Sequence, residues 1–246
     1  MKKLLLFAIA FCLIAGASYG QIMFGPKAGL NLSKYVQNFE DSDLEDYLSY
    51  RLGPSVGAVM DMQLCDFVSF QPSAMFSIKG TAHNLKKRSD EHPNHTWDGY
   101  DRDRIFYFEV PVNFAGKLEL GPGTAQIFLG PYFAFAMAGR NYYDYTVTKM
   151  DGTKETEKGD EKIAFRGTVT EEDMDTEGIG KFLRPFDFGF DFGIGYQWKA
   201  LLFNVGYQMG LSNLTPDYEG ADFDPKDFKQ KTSTIFFNVA WLFGAE

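Results

Sequence analysis

Residues 184–199 alternate in hydrophobicity without a break. Phe186, Phe188, Phe190, Phe192, Ile194, Tyr196 and Trp198 take one parity; Asp187, Gly189, Asp191, Gly193, Gly195 and Gln197 take the other. A β-strand sends successive side chains to opposite faces. One face of this stretch is therefore almost wholly aromatic. The other carries carboxylates, an amide and glycines. An apolar wall of this size has to meet a core, a ligand or lipid.

Seven other segments repeat the pattern: 22–34, 50–62, 67–79, 104–118, 125–143, 201–211 and 232–243. In the first, Phe24, Ala28, Leu30 and Leu32 oppose Lys27, Gly29, Asn31 and Ser33. In 104–118, Phe106, Phe108, Val110, Val112 and Phe114 oppose Glu109, Asn113 and Lys117. Eight alternating segments is the even count of an up-and-down barrel.

The connections alternate too. Gln63-Leu64-Cys65-Asp66, Gly121-Pro122-Gly123-Thr124 and Lys199-Ala200 are short and fall at one end. The stretches 35–49, 80–103, 144–183 and 213–231 are long and polar. Short turns at one rim and long loops at the other characterise outer-membrane barrels, whose staves need only about 10 residues. The third long loop is expected to continue as a hairpin, with 145–149 and 162–166 as strands around Asp151-Gly152.

Period two alone does not say which face points outward. A soluble barrel around a ligand has the same alternation with the apolar face turned in. Three features favour lipid. The polar face is rich in glycine (Gly29, Gly53, Gly57, Gly130, Gly193, Gly206), which suits a crowded interior. The apolar face is too bulky for the inside of eight strands. Aromatics gather at strand ends, with Trp198, Trp241 and Phe243 at the short-turn rim and Tyr35, Tyr50, Tyr142 and Phe186 toward the loops, as interface girdles do. The expected fold is all-β: an eight-stranded antiparallel up-and-down transmembrane β-barrel with long extracellular loops.

The polar face then lines a narrow lumen holding Lys27, Arg51, Lys79, Lys117 and Arg140 against Asp61, Glu109, Asp187 and Asp191. Buried charges must be paired or solvated. The expectation is a structural charge network with trapped water, a plug rather than a pore.

The chain start refines localisation. Lys2 and Lys3 precede an apolar run over 4–17, and Ser18 and Gly20 suit cleavage before Gln21. Residues 1–20 read as a signal peptide and 21–246 as one barrel domain. Cleavage lowers Lys+Arg from 24 to 22 against 33 Asp+Glu, a mature net charge of −11. Such an acidic chain is not a nucleic-acid binder. It keeps one cysteine, Cys65, so no internal disulfide forms.

Candidate chemistry is sparse. Asp187-Phe188-Gly189 and Asp191-Phe192-Gly193 imitate a kinase motif, but the repeat follows from strand alternation. His83, His92 and His95 share one loop without diagnostic metal-ligand spacing. No Ser-His or Asp-His constellation of a rim enzyme is readable. No catalytic residue, cofactor or metal is expected. Acidic clusters in 155–161 and 171–177 read as solvated loop surface, with divalent-cation binding as the alternative.

Several segments resemble a known family. FGPKAGLNLSKY (24–35), FYFEVPVNFAGK (106–117) with its Glu109-Val110-Pro111, AQIFLGPYFAF (125–135), RPFDFGFDFGIGYQW (184–198) and the Tyr-x-x-Gly-Leu-x-x-Leu segment 207–214 are similar to the PorT-like outer-membrane β-barrel family of Bacteroidetes. Pro185 after Arg184 departs from that pattern. The resemblance implies a Gram-negative outer-membrane protein with both termini periplasmic and no common catalytic residues. Expected partners are membrane lipids, lipopolysaccharide, and proteins docking on extracellular loops or periplasmic turns. The leading function is a non-enzymatic structural or interaction platform; the alternatives are an accessory of protein secretion or surface assembly, and a small channel.

Overall fold

A computed structural model describes residues 21–38, 48–86, 89, 94–220 and 229–244. The signal-peptide reading of 1–20 and the position of His92 lie outside these residues. Eight staves form the barrel: β1 (Ile22–Asn38), β2 (Arg51–Cys65), β3 (Val68–Lys79), β4 (His95–Leu120), β5 (Gly123–Lys149), β6 (Phe186–Trp198), β7 (Leu201–Gly210) and β8 (Lys229–Trp241). Each pairs antiparallel with its chain neighbours. Closure comes from β8 pairing antiparallel with β1, where Lys27 faces Ala240 and Leu32 faces Ile235. The protein is therefore an eight-stranded up-and-down barrel with no free edge around the ring.

The burial pattern is inverted relative to a soluble protein. Phe188, Phe190, Phe192, Ile194, Leu129, Ile127, Val205 and Phe237 are all exposed, while Asp61, Lys79, Glu109, Asp187 and Asp191 are buried. The apolar parity faces out on every stave and the polar parity faces in. The soluble alternative requires the reverse.

Glycine makes the interior fit. Gly193 and Gly206 are cross-strand partners. A Cβ on Gly193 would lie 2.6 Å from the Phe128 ring, and one on Gly206 would lie 2.5 Å from the Phe236 ring. These glycines make room for two inward-facing phenylalanines whose rings stand 6.1 Å apart.

Apolar clusters pack at both ends of the lumen. At the short-turn end, Val59, Leu202, Ala240 and Leu242 pack together with Met23. At the loop end, Tyr35, Ile105, Tyr107, Tyr132, Leu183 and Leu214 form a second cluster. Leu183 and Leu214 come from the loops. They are held there by main-chain bonds from Arg184 N to Leu214 O, from Arg166 N to Leu183 O and from Leu214 N to Gln230 O, all 2.8–2.9 Å.

Above the belt, β4 and β5 continue. They run 26 and 27 residues, more than twice what a stave needs. Beyond Met150–Thr153 the chain returns as Lys154–Phe165, antiparallel to β5. Ile179–Leu183 then adds a parallel strand against 162–165. The expected hairpin is present, but its return strand starts at Lys154, eight residues before the expected 162. The two described chain ends meet at the short-turn rim, where Ile22 faces Met62 and Met23 faces Gly244.

Two side chains expected on one face sit on the other. Arg140 is exposed and pairs with Asp160, so it is not a lumen charge. The cause is a register shift: Phe106 faces Ala138, yet Tyr107 faces Ala136. Met137 is the extra residue of a bulge, and a bulge reverses parity beyond it. Tyr35 is buried, 2 % exposed, and belongs to the outer-mouth cluster rather than to an interface girdle. Its odd number puts it on the same parity as Lys27, Asn31 and Ser33.

Candidate functional site

The polar interior is a connected network built from inward positions of every stave. Near the short turns, Asp61 on β2 accepts from Lys117 Nζ at 2.7 Å and from Gln71 Nε2 at 3.0 Å. Gln71 also donates to Gln126 at 3.0 Å, and Gln126 donates to Asn204 at 2.9 Å. These bonds join β2, β3, β4, β5 and β7 across the interior.

At mid-barrel, Lys79 on β3 contacts both Glu109 on β4 and Gln208 on β7. Ser77 donates to Glu109 at 3.1 Å, and Gln208 Nε2 donates to Asp191 at 2.9 Å. Lys27 donates to Ser73 at 3.3 Å. Toward the loops, Asp187 accepts from Tyr132 OH at 3.0 Å, Thr232 Oγ1 at 2.7 Å and Ser212 Oγ at 2.5 Å. A carboxylate holding three hydroxyl donors is a structural anchor, not a free base.

The structure thus brings Lys27, Asp61, Lys79, Glu109, Lys117, Asp187 and Asp191 into the lumen. Arg51 is half-buried, and its Nε and Nη1 find no acceptor among the described residues. Trp198, Trp241 and Phe243 stand exposed at the short-turn rim, with Trp198 and Trp241 both flanking Leu201. Trp241 and Phe243 stack with centroids 6.2 Å apart. Gln71, Gln126, Asn204, Gln208 and Tyr132 complete the network; a charge-based reading of the sequence passes over them, although their inward parity was visible.

The interior encloses a cavity of about 30 Å³ lined by Lys27, Lys79, Glu109, Asn113 and Asp191. That is room for one or two waters within polar walls. Glu109 Oε1, Asn113 Oδ1 and Asn31 Nδ2 line or border this space and lack a well-aligned protein hydrogen bond.

Above the belt a further ion pair ties the loops down. Asp103 accepts from Lys181 at 2.7 Å and from Asn141 at 3.1 Å. Burial pushes the Asp103 carboxyl up, but the Lys181 ammonium and the hydrogen bonds outweigh it and hold the group below its ordinary value.

The acidic loop clusters have local explanations. Lys149 pairs with Glu155 at 2.5 Å, and Lys158 with Asp144 at 2.8 Å. Glu171–Met174 is a helical turn with a capping box between Thr170 and Asp173, a place that favours acidic side chains. Among the described residues, no group of three or more His, Cys, Asp or Glu is arranged to hold a metal. The His95 ring lies tilted beside Trp97, centroids 5.7 Å apart. Cys65 is free and exposed at the short-turn rim.

The family model described as outer membrane protein beta-barrel domain matches residues 16–215. No match was found among curated protein sequences. Similar solved structures include the attachment invasion locus protein Ail of Yersinia pestis, at 11% identity and TM-score 0.35 over 90% of this chain and 98% of that one. Neisserial surface protein A is similar at 10% identity and TM-score 0.38, covering 89% and 97%. The Pseudomonas putida toluene transporter TodX shows 10% identity and TM-score 0.26, covering 94% and 92%.

Proposed function

The chain belongs to the outer membrane protein beta-barrel domain family, and on that premise we propose that it is a closed, non-enzymatic surface platform. One observation carries this reading: two staves rise far beyond the lipid belt into an exposed sheet, over a lumen filled with paired polar side chains and apolar clusters at each end. The chain invests in surface above the membrane rather than in a passage through it. The acidic extension, with its charged strand 154–165, is the binding surface for proteins and for the lipopolysaccharide around it. The short turns and both termini lie on the periplasmic side, after removal of residues 1–20. The affiliation with the PorT-like proteins of Bacteroidetes is part of the same reading.

A small channel is the competing function. Its requirement is a continuous wet path, and the ion pairs Lys79–Glu109 and Lys117–Asp61 stand across that path. In a planar bilayer the purified protein is expected to show no stable conductance. Reproducible nanosiemens openings would refute the plug. Crosslinked co-purification from outer membranes would then identify what docks on the extension. Recovery of periplasmic secretion components alone, through the short turns, would move the assignment to an assembly accessory.

A further inference from the structure

Two residue pairs above the lipid belt, the outer surface carries a row of cations. Arg104 on β4 faces Arg140 on β5, and Arg140 faces Lys162 on the returning strand. Directly opposed positions on an antiparallel sheet share a face, and like charges there are destabilising. Three cations in succession across three strands therefore call for an anion. The chain as a whole is acidic, with net charge −9, so the row is not a by-product of composition.

The row is only partly neutralised by the protein. Asp160 pairs with Arg140, and Asp173 pairs with the neighbouring Arg166. Arg104 and Lys162 have no carboxylate partner among the described residues. The Arg104 Nε is buried without an acceptor, and its guanidinium lies 4.9 Å from the Phe106 ring centroid.

Below the row lies an apolar floor. Phe106, Phe135 and Met137 are 39 %, 52 % and 50 % exposed and belong to the lipid-facing belt. With Arg104, Arg140, Lys162 and the neighbouring Arg166 they line a single outward groove of about 640 Å³. Two residues along a strand is about 7 Å, so the cations sit at head-group height when the floor sits among acyl chains. Across three strands the row spans about 10 Å. That width suits a head group with separated phosphates better than a single phosphodiester.

We propose that Arg104, Arg140 and Lys162, above the Phe106–Phe135–Met137 floor, bind the phosphorylated head group of an outer-leaflet glycolipid. Arginine supplies forked donors to phosphate oxygens, lysine a point charge, and the aromatic floor receives the acyl chains. The assignment rests on the outer-membrane reading above. The Arg140 bulge acquires a purpose in it: the parity reversal places a cation between Arg104 and Lys162.

The test is native mass spectrometry of the full chain, folded in neutral detergent, with bisphosphorylated lipid A as the probe. Dephosphorylated lipid A and inorganic phosphate are the comparison probes. The R104Q/K162Q variant spares both ion pairs, and K199Q, in the short turn at the opposite rim, is a distant control. Wild type and K199Q are expected to retain one bisphosphorylated lipid A. R104Q/K162Q should weaken retention about tenfold or more, as loss of charged hydrogen bonds implies. Its melting temperature in lipid-free detergent should be equal or higher, because opposed cations have been removed. Retention within twofold of wild type would overturn the proposal. So would equal retention of the dephosphorylated lipid, or full competition by inorganic phosphate. Heat-modifiable mobility separates the two levels: folded protein that ignores lipid A refutes this site alone, whereas protein that never folds in lipid refutes the membrane reading and the site with it.

Discussion

Phe190→Arg is expected to block stable membrane assembly. Phe190 lies in the middle of β6, 43 % exposed, and faces Pro131 and Met209 on its neighbours. Its environment in the membrane is acyl chain. An arginine near the bilayer midplane costs ~2–4 kcal/mol in a β-barrel. Phe190→Leu keeps an apolar surface and should assemble normally. Folding into phospholipid vesicles, read by heat-modifiable migration, distinguishes the two. Normal folding of the arginine variant would mean that this face does not meet lipid.

Lys79→Met is the second large effect. Lys79 is 2 % exposed and Glu109 is 4 % exposed, and they are paired across β3 and β4. Removing the lysine leaves Glu109, among the described residues, with the Ser77 hydroxyl as its one hydrogen-bond donor. Breaking a buried pair from one side costs about 3–5 kcal/mol. Removing the charge on both sides, as Lys79→Met with Glu109→Gln, should recover a large part of that loss. Denaturant unfolding in lipid vesicles gives both values, and the cycle isolates the coupling. Additive losses in the double variant would show that the two side chains do not form a pair.

Much of this architecture was readable in the chain because period two is a direct consequence of strand geometry. The eight staves, the inward parity of Asp187 and Asp191, and the rim position of Trp198 all follow from alternation. Tyr35 shows that parity is a better guide than residue type: as a tyrosine near a loop it suggested a girdle, while its odd position placed it inside. Arg140 shows where parity fails. One extra residue at Met137 reverses every side chain after it, and nothing in the local sequence marks the bulge.

The cation row was hidden for a different reason. Arg104, Arg140 and Lys162 lie on three segments up to 58 positions apart. Only the cross-strand register brings them together. The full length of β4 and β5 was likewise obscured, because their upper halves exchange the apolar alternation for Tyr, Thr, Asp and Lys. There the strands are held by pairing and by charge contacts such as Lys158–Asp144, not by a greasy face.

The central claim is that the aromatic parity of β6 faces lipid over a closed lumen. Its most direct test is nitroxide labelling at positions 190, 192 and 194, one at a time, in a chain whose exposed Cys65 has been replaced by serine. Power-saturation measurements in phospholipid vesicles should find all three labels readily relaxed by oxygen and poorly relaxed by a water-soluble nickel chelate. Labels that are immobile and shielded from both agents would place the aromatic face inside the barrel and contradict the account.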